Sequence, residues 1–192
     1  MHTSYPFILA STSPRRCDLL KNIGLKFKVV PSEYEEDMTL PLSPAELTIH
    51  LSLEKARAVA QNNPNAVIIG ADTIVFCNNQ LLGKAHTPEE AKRMLHLLSG
   101  KTHQVITGMT IIIPSVKTPQ SSASINEVTF KDLSDAQIDW YINSGEPLGK
   151  AGAYAIQGLG GMLVSSIKGS YSGIVGLPIE ELYDIFTQHK LW

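Results

Sequence analysis

Ala66-Val67-Ile68-Ile69-Gly70-Ala71-Asp72-Thr73-Ile74-Val75-Phe76-Cys77 reads as a buried strand interrupted by a single carboxylate. An apolar run of this length with no alternation fits a strand covered on both faces, as in sheets flanked by helices. Asn78-Asn79 then turns the chain. On the upstream side, Ser43-Pro44-Ala45-Glu46 opens a helix that runs to about Asn62. On the downstream side, Thr87-Pro88-Glu89-Glu90 opens another that runs to about Leu98. Both openings carry the reciprocal capping pattern, with proline at the first helical position. Helix, buried strand and helix in succession imply α/β layering.

The alternation continues in both directions. Phe7–Ala10 is a short apolar strand, and Ser13-Pro14 caps a helix that Gly24 stops. Lys26–Pro31 reads as a strand, followed by the acidic stretch Glu33–Asp37. Val105–Ile113 is β-branched and strand-like. Pro114–Ser124, rich in Pro, Ser and Thr, is expected to be a solvated connection to a strand at Ile125–Phe130. Ser134-Asp135-Ala136-Gln137 opens a helix ending near Gly145. Nine of the fourteen glycines lie between Gly145 and Gly176, around a strand at Met162–Lys168, and a last helix runs from Pro178 to near Phe186. That connection is too short to separate domains, so residues 1–192 are read as one domain.

With 192 residues the chain can bury a core without disulfides or structural metal. Hydrophobic residues make up 43% and charged residues 18%, a globular composition. Sixteen Lys and Arg against eighteen Asp and Glu leave a net charge of −2, which argues against a nucleic-acid or polybasic membrane partner. Two cysteines, Cys17 and Cys77, are too few for a disulfide framework and are expected to serve packing. Met1–Tyr5 has no basic stretch, the apolar run at Phe7–Ala10 is too short for a leader, and no segment is long enough to span a bilayer. A cytoplasmic protein with reduced thiols is expected.

Several common chemistries fail on spacing. Gly145-Glu-Pro-Leu-Gly149-Lys150 is one residue short of a phosphate loop, and Ala151 stands where the metal-binding hydroxyl belongs. Gly158-Leu159-Gly160-Gly161 follows no strand-to-helix turn, so it is no dinucleotide fingerprint. Gly169-Ser170-Tyr171-Ser172-Gly173 places tyrosine where a nucleophile elbow needs serine. The six histidines show no metal-ligand spacing.

Three groups of residues remain. Ser11-Thr12-Ser13-Pro14-Arg15-Arg16 sits where a strand turns into a helix. Its first turn offers amide groups and two guanidinium forks to phosphate oxygens, or is an ordinary cap with solvated arginines. Asp72 interrupts a buried strand, where a carboxylate is costly unless paired, hydrogen-bonded or metal-bound. If a strand ends there, it lies where open α/β sheets gather ligands; the alternative is a turn aspartate bonding nearby amides. Glu35 and Glu36 could hold a cation, and Lys55, Lys84 and Lys150 could hold phosphate, although each taken singly is usually a surface residue.

The ordered blocks are more specific than any single residue. Leu9-Ala10-Ser11-Thr12-Ser13-Pro14-Arg15-Arg16, Glu54-Lys55-Ala56, Gly70-Ala71-Asp72-Thr73, Ser99-Gly100-Lys101-Thr102-His103-Gln104-Val105 and Gly145-Glu146-Pro147 are followed by two more. These are Lys150-Ala151-Gly152-Ala153-Tyr154-Ala155-Ile156-Gln157-Gly158, and Gly169-Ser170-Tyr171 with Val175-Gly176-Leu177-Pro178. Together they resemble the Maf family of nucleoside triphosphate pyrophosphatases over about residues 7–186.

The resemblance implies a mixed central sheet flanked by helices in two lobes around a cleft, like the inosine triphosphate pyrophosphatases. It implies hydrolysis of a nucleoside triphosphate to the monophosphate and pyrophosphate with a divalent cation, Mg²⁺ or Mn²⁺. Asp72 maps onto the proton acceptor. Ser11, Arg15, Arg16, Glu36, Lys55 and Lys84 map onto the phosphate and metal set, with Asp72 and Glu36 as the metal pair. Lys150 joins the substrate-binding residues. Arg15, Thr73 and Gln157 match the subgroup acting on dTTP and UTP, the last two reading the pyrimidine edge. Purine or 7-methyl-GTP substrates, and a nucleotide-binding role in septum formation, are the competing expectations. A homodimer is suggested by the likeness alone. Two positions depart from the pattern: Gly149 replaces the usual aspartate, and Ala85 replaces the proline of Gly-Lys-Pro, which should only loosen a turn.

Overall fold

A computed structural model describes residues 5–191. Met1–Ser4, which belong to the leader argument, and Trp192 lie outside that range. The elements are β1 (Phe7–Leu9), α1 (Pro14–Asn22), β2 (Phe27–Val29), α2 (Pro44–Ala60), β3 (Val67–Cys77), β4 (Gln80–Leu82) and α3 (Pro88–Leu98). They continue with β5 (Thr102–Ile112), β6 (Gln120–Phe130), α4 (Asp135–Asn143), a 3-10 turn (Leu159–Leu163), β7 (Val164–Lys168), α5 (Tyr171–Val175) and α6 (Ile179–Gln188). One mixed sheet has the order β2-β1-β3-β5-β6-β7, with β4 paired to β3. β1 is parallel to both β2 and β3, whereas β3–β4 and β6–β7 are antiparallel. The expected mixed α/β architecture is what forms. Among the described residues no helix is long and apolar enough to cross a membrane.

The chain divides into two compact units. One comprises the residues up to Asp72, Thr107–Ser124 and the residues from Gly176 on; the other comprises Thr73–Ile106 and Ile125–Val175. In the first, alternation along β3 sorts the core into two layers. Val67, Ile69 and Ala71 pack with Leu20 of α1 and with Leu182 and Phe186 of α6, where the Phe7 and Phe186 rings stack at 5.2 Å. Ile8 and Ile68 pack against Ala56 and Val59 of α2.

Two glycines set how closely α2 lies on the sheet. A Cβ at Gly70 would run into the Ser52 carbonyl and Ala56, and one at Gly108 would run into the Thr48 backbone. Glycine therefore lets helix and strand backbones approach to a distance that no side chain allows. Ser52 Oγ then meets Thr110 Oγ1 at 2.8 Å, which satisfies two buried hydroxyls.

The second unit packs α3 and α4 through Leu95, Leu98, Ile138 and Tyr141 against Val105, Val128 and Phe130. His103 is buried edge-on to the rings of Phe130 and Tyr154. Its Nε2 lies 2.9 Å from the Tyr154 hydroxyl, and its Nδ1 has no hydrogen-bond partner among the described residues. Burial pushes the His103 pKa down to about 4, so the ring is neutral.

The structure refines several sequence expectations. Ser43 and Ser134 form full capping boxes. Thr87 caps Glu90, but the Glu90 carboxylate accepts from the His86 amide at 2.7 Å, and the Ser13 side chain makes no capping bond. The polar stretch Pro114–Ser124 is a loop only in its first part, because Gln120–Ser124 already belongs to β6. There Ser121 Oγ lies 2.8 Å from Thr110 Oγ1, so hydroxyl pairing supplies what the apolar pattern lacks. β5 begins at Thr102, where Thr102 and Thr129 pair their hydroxyls at 2.8 Å. Asn78 and Asn79 adopt φ of 49° and 60°, the two left-handed residues of a tight hairpin. That hairpin carries the unanticipated β4.

Candidate active site

β1 stops at Leu9, opposite Ile69, while β3 runs on to Cys77. Asp72 therefore lies inside a strand, three residues beyond the last pair with its neighbour, and not at a strand end. The space that β1 vacates is where the chain turns into α1. Carboxyl ends of parallel strands bring helix N-termini together in this way, which makes them the usual ligand-binding edge.

Asp72 shares a strand face with Gly70, the face covered by α2. Lys55 of α2 reaches it, with Nζ 2.5 Å from Asp72 Oδ1. The same Nζ lies 2.7 Å from Glu36 Oε1, on the loop that follows β2. Lys55 and Asp72 are 9% and 6% exposed, so this is a desolvated ion pair, with the Glu36 side chain at 31% on its open side. A buried pair such as this is expensive to break from one side, because the remaining charge stays out of water.

Arg16, on the first turn of α1, is half-buried. Its Nε donates to the Gly176 carbonyl at 2.8 Å and its Nη1 to Ser11 Oγ at 3.0 Å. Burial lowers the guanidinium pKa from its ordinary value, Asp72 raises it, Arg15 lowers it and Glu36 raises it. The group stays protonated, since an arginine does not lose its proton in a protein. Arg15 and Arg16 thus stand at the start of a helix with no acidic residue in its first turn. The macrodipole disfavours cations there and favours an anion.

Ser11, Arg16, Glu36, Lys55 and Asp72 are gathered in the first unit, with the half-buried Arg15 beside Arg16. Glu35, offered with Glu36 as a cation holder, is exposed. Thr73 is the next residue on β3, and the pleat turns its Cβ to the opposite strand face. In the second unit the backbones of Lys84 and Ala151 form a bridge, which places the Lys84 and Lys150 segments side by side. Ala85 donates its amide to the Lys150 carbonyl at 3.2 Å and accepts from Gly149 at 2.8 Å. Proline could not make the first of these bonds, so alanine here adds a tie to the turn instead of loosening it. Gly149 has a φ of 72°, a conformation that glycine adopts without strain. Gln157 is exposed, on the turn before the 3-10 segment.

Among the described residues no group of three or more His, Cys, Asp or Glu could hold a metal. Two carboxylates are enough for a hard divalent ion that takes its remaining oxygens from water and a phosphate. Asp72 and Glu36 already converge on one cationic centre, the Lys55 ammonium, so the donor set fits such an ion.

Comparison with known proteins adds to this geometry. Residues 6–189 match the family described as Maf-like protein. A "dTTP/UTP pyrophosphatase" of Bacillus cereus (strain G9842) is 48% identical over 188 residues, covering 95% of this chain and 97% of the relative. One of the same name from Bacillus anthracis (strain CDC 684 / NRRL 3495) is 47% identical over 184 residues, covering 96% and 95%. Among solved structures, a HAM1 protein from Coxiella burnetii has a TM-score of 0.55 at 14% identity, covering 96% of this chain and 99% of that one, a likeness of fold.

Proposed function

This chain belongs to the Maf-like protein family, and we propose from that premise that it hydrolyses dTTP and UTP to the nucleoside monophosphate and pyrophosphate. The observation that carries this reading is the Glu36–Lys55–Asp72 constellation beside Arg16. It combines cations for a polyphosphate with acidic groups that a mere phosphate binder has no use for.

The reaction breaks the bond between the α-phosphorus and its bridging oxygen as water attacks in line from the opposite side. The work lies in positioning one water and neutralising charge that shifts onto the leaving pyrophosphate. Asp72 orients the water and accepts its proton. Arg15 and Arg16 present planar forks to phosphate oxygens, while Lys55, Lys84 and Lys150 act as point charges. Ser11 fixes the Arg16 fork through its hydroxyl. Asp72 and Glu36 would hold a Mg²⁺ or Mn²⁺, which supplies Lewis-acid stabilisation of phosphate oxygens. Thr73 and Gln157 hydrogen-bond the pyrimidine edge, and a base that leaves such groups unpaired is rejected strongly.

The test is incubation with UTP and Mg²⁺, with UMP and pyrophosphate resolved as products. Asp72→Asn should keep the fold by circular dichroism and lose turnover by about 10² to 10⁴, the usual worth of a positioned base. Saturable UTP binding without product would make the protein a nucleotide sensor. Undiminished turnover in the variant would remove Asp72 from the reaction.

A further inference from the structure

Glu146 is a carboxylate that the reaction above does not use, yet both of its oxygens bond the segment that follows Gln157. Its Oε2 accepts from the Leu159 amide at 3.0 Å, and its Oε1 accepts from the Gly160 amide at 2.9 Å. Oε1 also accepts from the Tyr141 hydroxyl at 2.8 Å, and that hydroxyl accepts in turn from the Ala155 amide at 3.1 Å. One carboxylate and one phenol thus hold backbone amides on both sides of Gln157.

Packing closes the same contact. A Cβ at Gly158 would overlap the Glu146 carboxyl group, and one at Gly160 would overlap the Tyr141 hydroxyl and the backbone of Ala155. The two glycines beside Gln157 therefore have a reason in this clamp. Tyr141 is fully buried on α4, so its hydroxyl is a fixed point and not a mobile donor. On its other side Glu146 begins the stretch that runs through Gly149 and Lys150, which is bonded to Ala85 and bridged to Lys84.

We infer that Glu146, with Tyr141 behind it, is a positioning residue: it fixes the Gln157 turn relative to the Lys84–Lys150 pair and thereby sets selectivity for the base. A glutamine exposed on an unsupported glycine-flanked turn would sample many orientations, and a hydrogen bond discriminates only when its partner is held in place. The carboxylate suits the task because both of its oxygens accept, whereas an amide offers one accepting oxygen beside a donating NH₂. Burial opposes ionisation of Glu146, but the Gly160 and Leu159 amides, the Tyr141 hydroxyl and Lys150 outweigh it and hold its pKa below the ordinary value.

This inference rests on the assignment of Gln157 to base reading, so its test carries two readouts. Glu146→Ala, Glu146→Gln and the wild type are compared for kcat/KM on UTP, dTTP, ITP and GTP, and for hydrogen exchange at the Leu159 and Gly160 amides. Expected are faster exchange at both amides in Glu146→Ala and a drop of about tenfold or more in the pyrimidine-to-purine ratio. Glu146→Gln should fall between, because its NH₂ faces one amide donor. Gln157→Ala should lower the ratio alone, and adding it to Glu146→Ala should change little more. Faster exchange with an unchanged ratio would overturn the inference and leave Glu146 a structural residue, as would unchanged exchange. Failure of the underlying function looks different, since the wild type itself would then show no preference for pyrimidine substrates.

Discussion

Replacing Lys55 with methionine keeps the stem that packs along α2 and removes the ammonium from between Asp72 and Glu36. The two carboxylate oxygens, 2.5 and 2.7 Å from the same nitrogen, can lie no more than about 5 Å apart. At an effective dielectric of about 20, two like charges at that separation repel by about 3 kcal/mol. The partial exposure of Glu36 lets water and salt reduce this, but Asp72 is left in a dry site without its counter-charge, so a net destabilisation of about 3 kcal/mol is expected. For a chain of this length, that corresponds to a melting temperature about 6–12 °C below the wild type in EDTA. A divalent cation should then stabilise the variant selectively, by about 2.7 kcal/mol at a concentration 100 times its dissociation constant. The wild type, which carries its own cation at that point, should gain much less. Melting curves in EDTA and in a Mn²⁺ series provide the assay, with Lys55→Met/Glu36→Gln as the control that removes both the repulsion and the cation response. A variant that melts like the wild type in EDTA and ignores Mn²⁺ would refute the convergence of the two carboxylates.

Gly108→Ala should lower stability by about 3 kcal/mol, near the upper end for overpacking, because its Cβ meets the Thr48 backbone and not a movable side chain; the urea midpoint measures it. The same variant should lose turnover under conditions where it is still folded, since displacing α2 displaces Lys55. His103 gives the acid limb of stability. Its folded pKa of about 4 lies below the unfolded value near 6.5, so the unfolded chain takes up the proton first. Its contribution is complete above about pH 6.5 and is lost progressively as pH falls toward 4, by about 3 kcal/mol in all. A His103→Gln variant should show a flatter decline over that window in chemical denaturation.

The sequence made legible whatever is written in local pattern. Ser43-Pro44-Ala45-Glu46 and Ser134-Asp135-Ala136-Gln137 predict their helices because a capping box is completed within four residues. Asp72 stood out because a carboxylate in an apolar run violates the burial rule, and its two partners supply the explanation. What stayed hidden depends on distant pairing. Gln120–Ser124 lacks an apolar pattern, and its strand is supported by the Thr110 hydroxyl on β5, which no local reading reaches. Asp72 stands at no strand end, because β3 runs on to Cys77. It is β1 that ends, leaving a space beside a longer neighbour. Glu146 stands in a near-miss phosphate loop and in the Gly145-Glu146-Pro147 block, and neither discloses its clamp, whose three bonds join α4 to a turn more than ten residues away.

The close approach of α2 to β3 explains why a lysine can serve Asp72 at all. Ser52 and Ala56 flank the position where Gly70 admits the helix, and Lys55 lies between them on the same turn. Side chains on a helix lean toward its N-terminus, so the Lys55 stem runs along the strand face and not out to solvent. Asp72 is the next residue on that face after Gly70, one pleat of about 6.6 Å further on, and the stem spans the offset. A bulkier residue at position 70 would lift the helix, lengthen a 2.5 Å ion pair and leave a nearly dry carboxylate without its counter-charge. The glycine therefore acts on chemistry through distance. By the same reasoning the ammonium holds the Asp72 and Glu36 carboxylates against one centre.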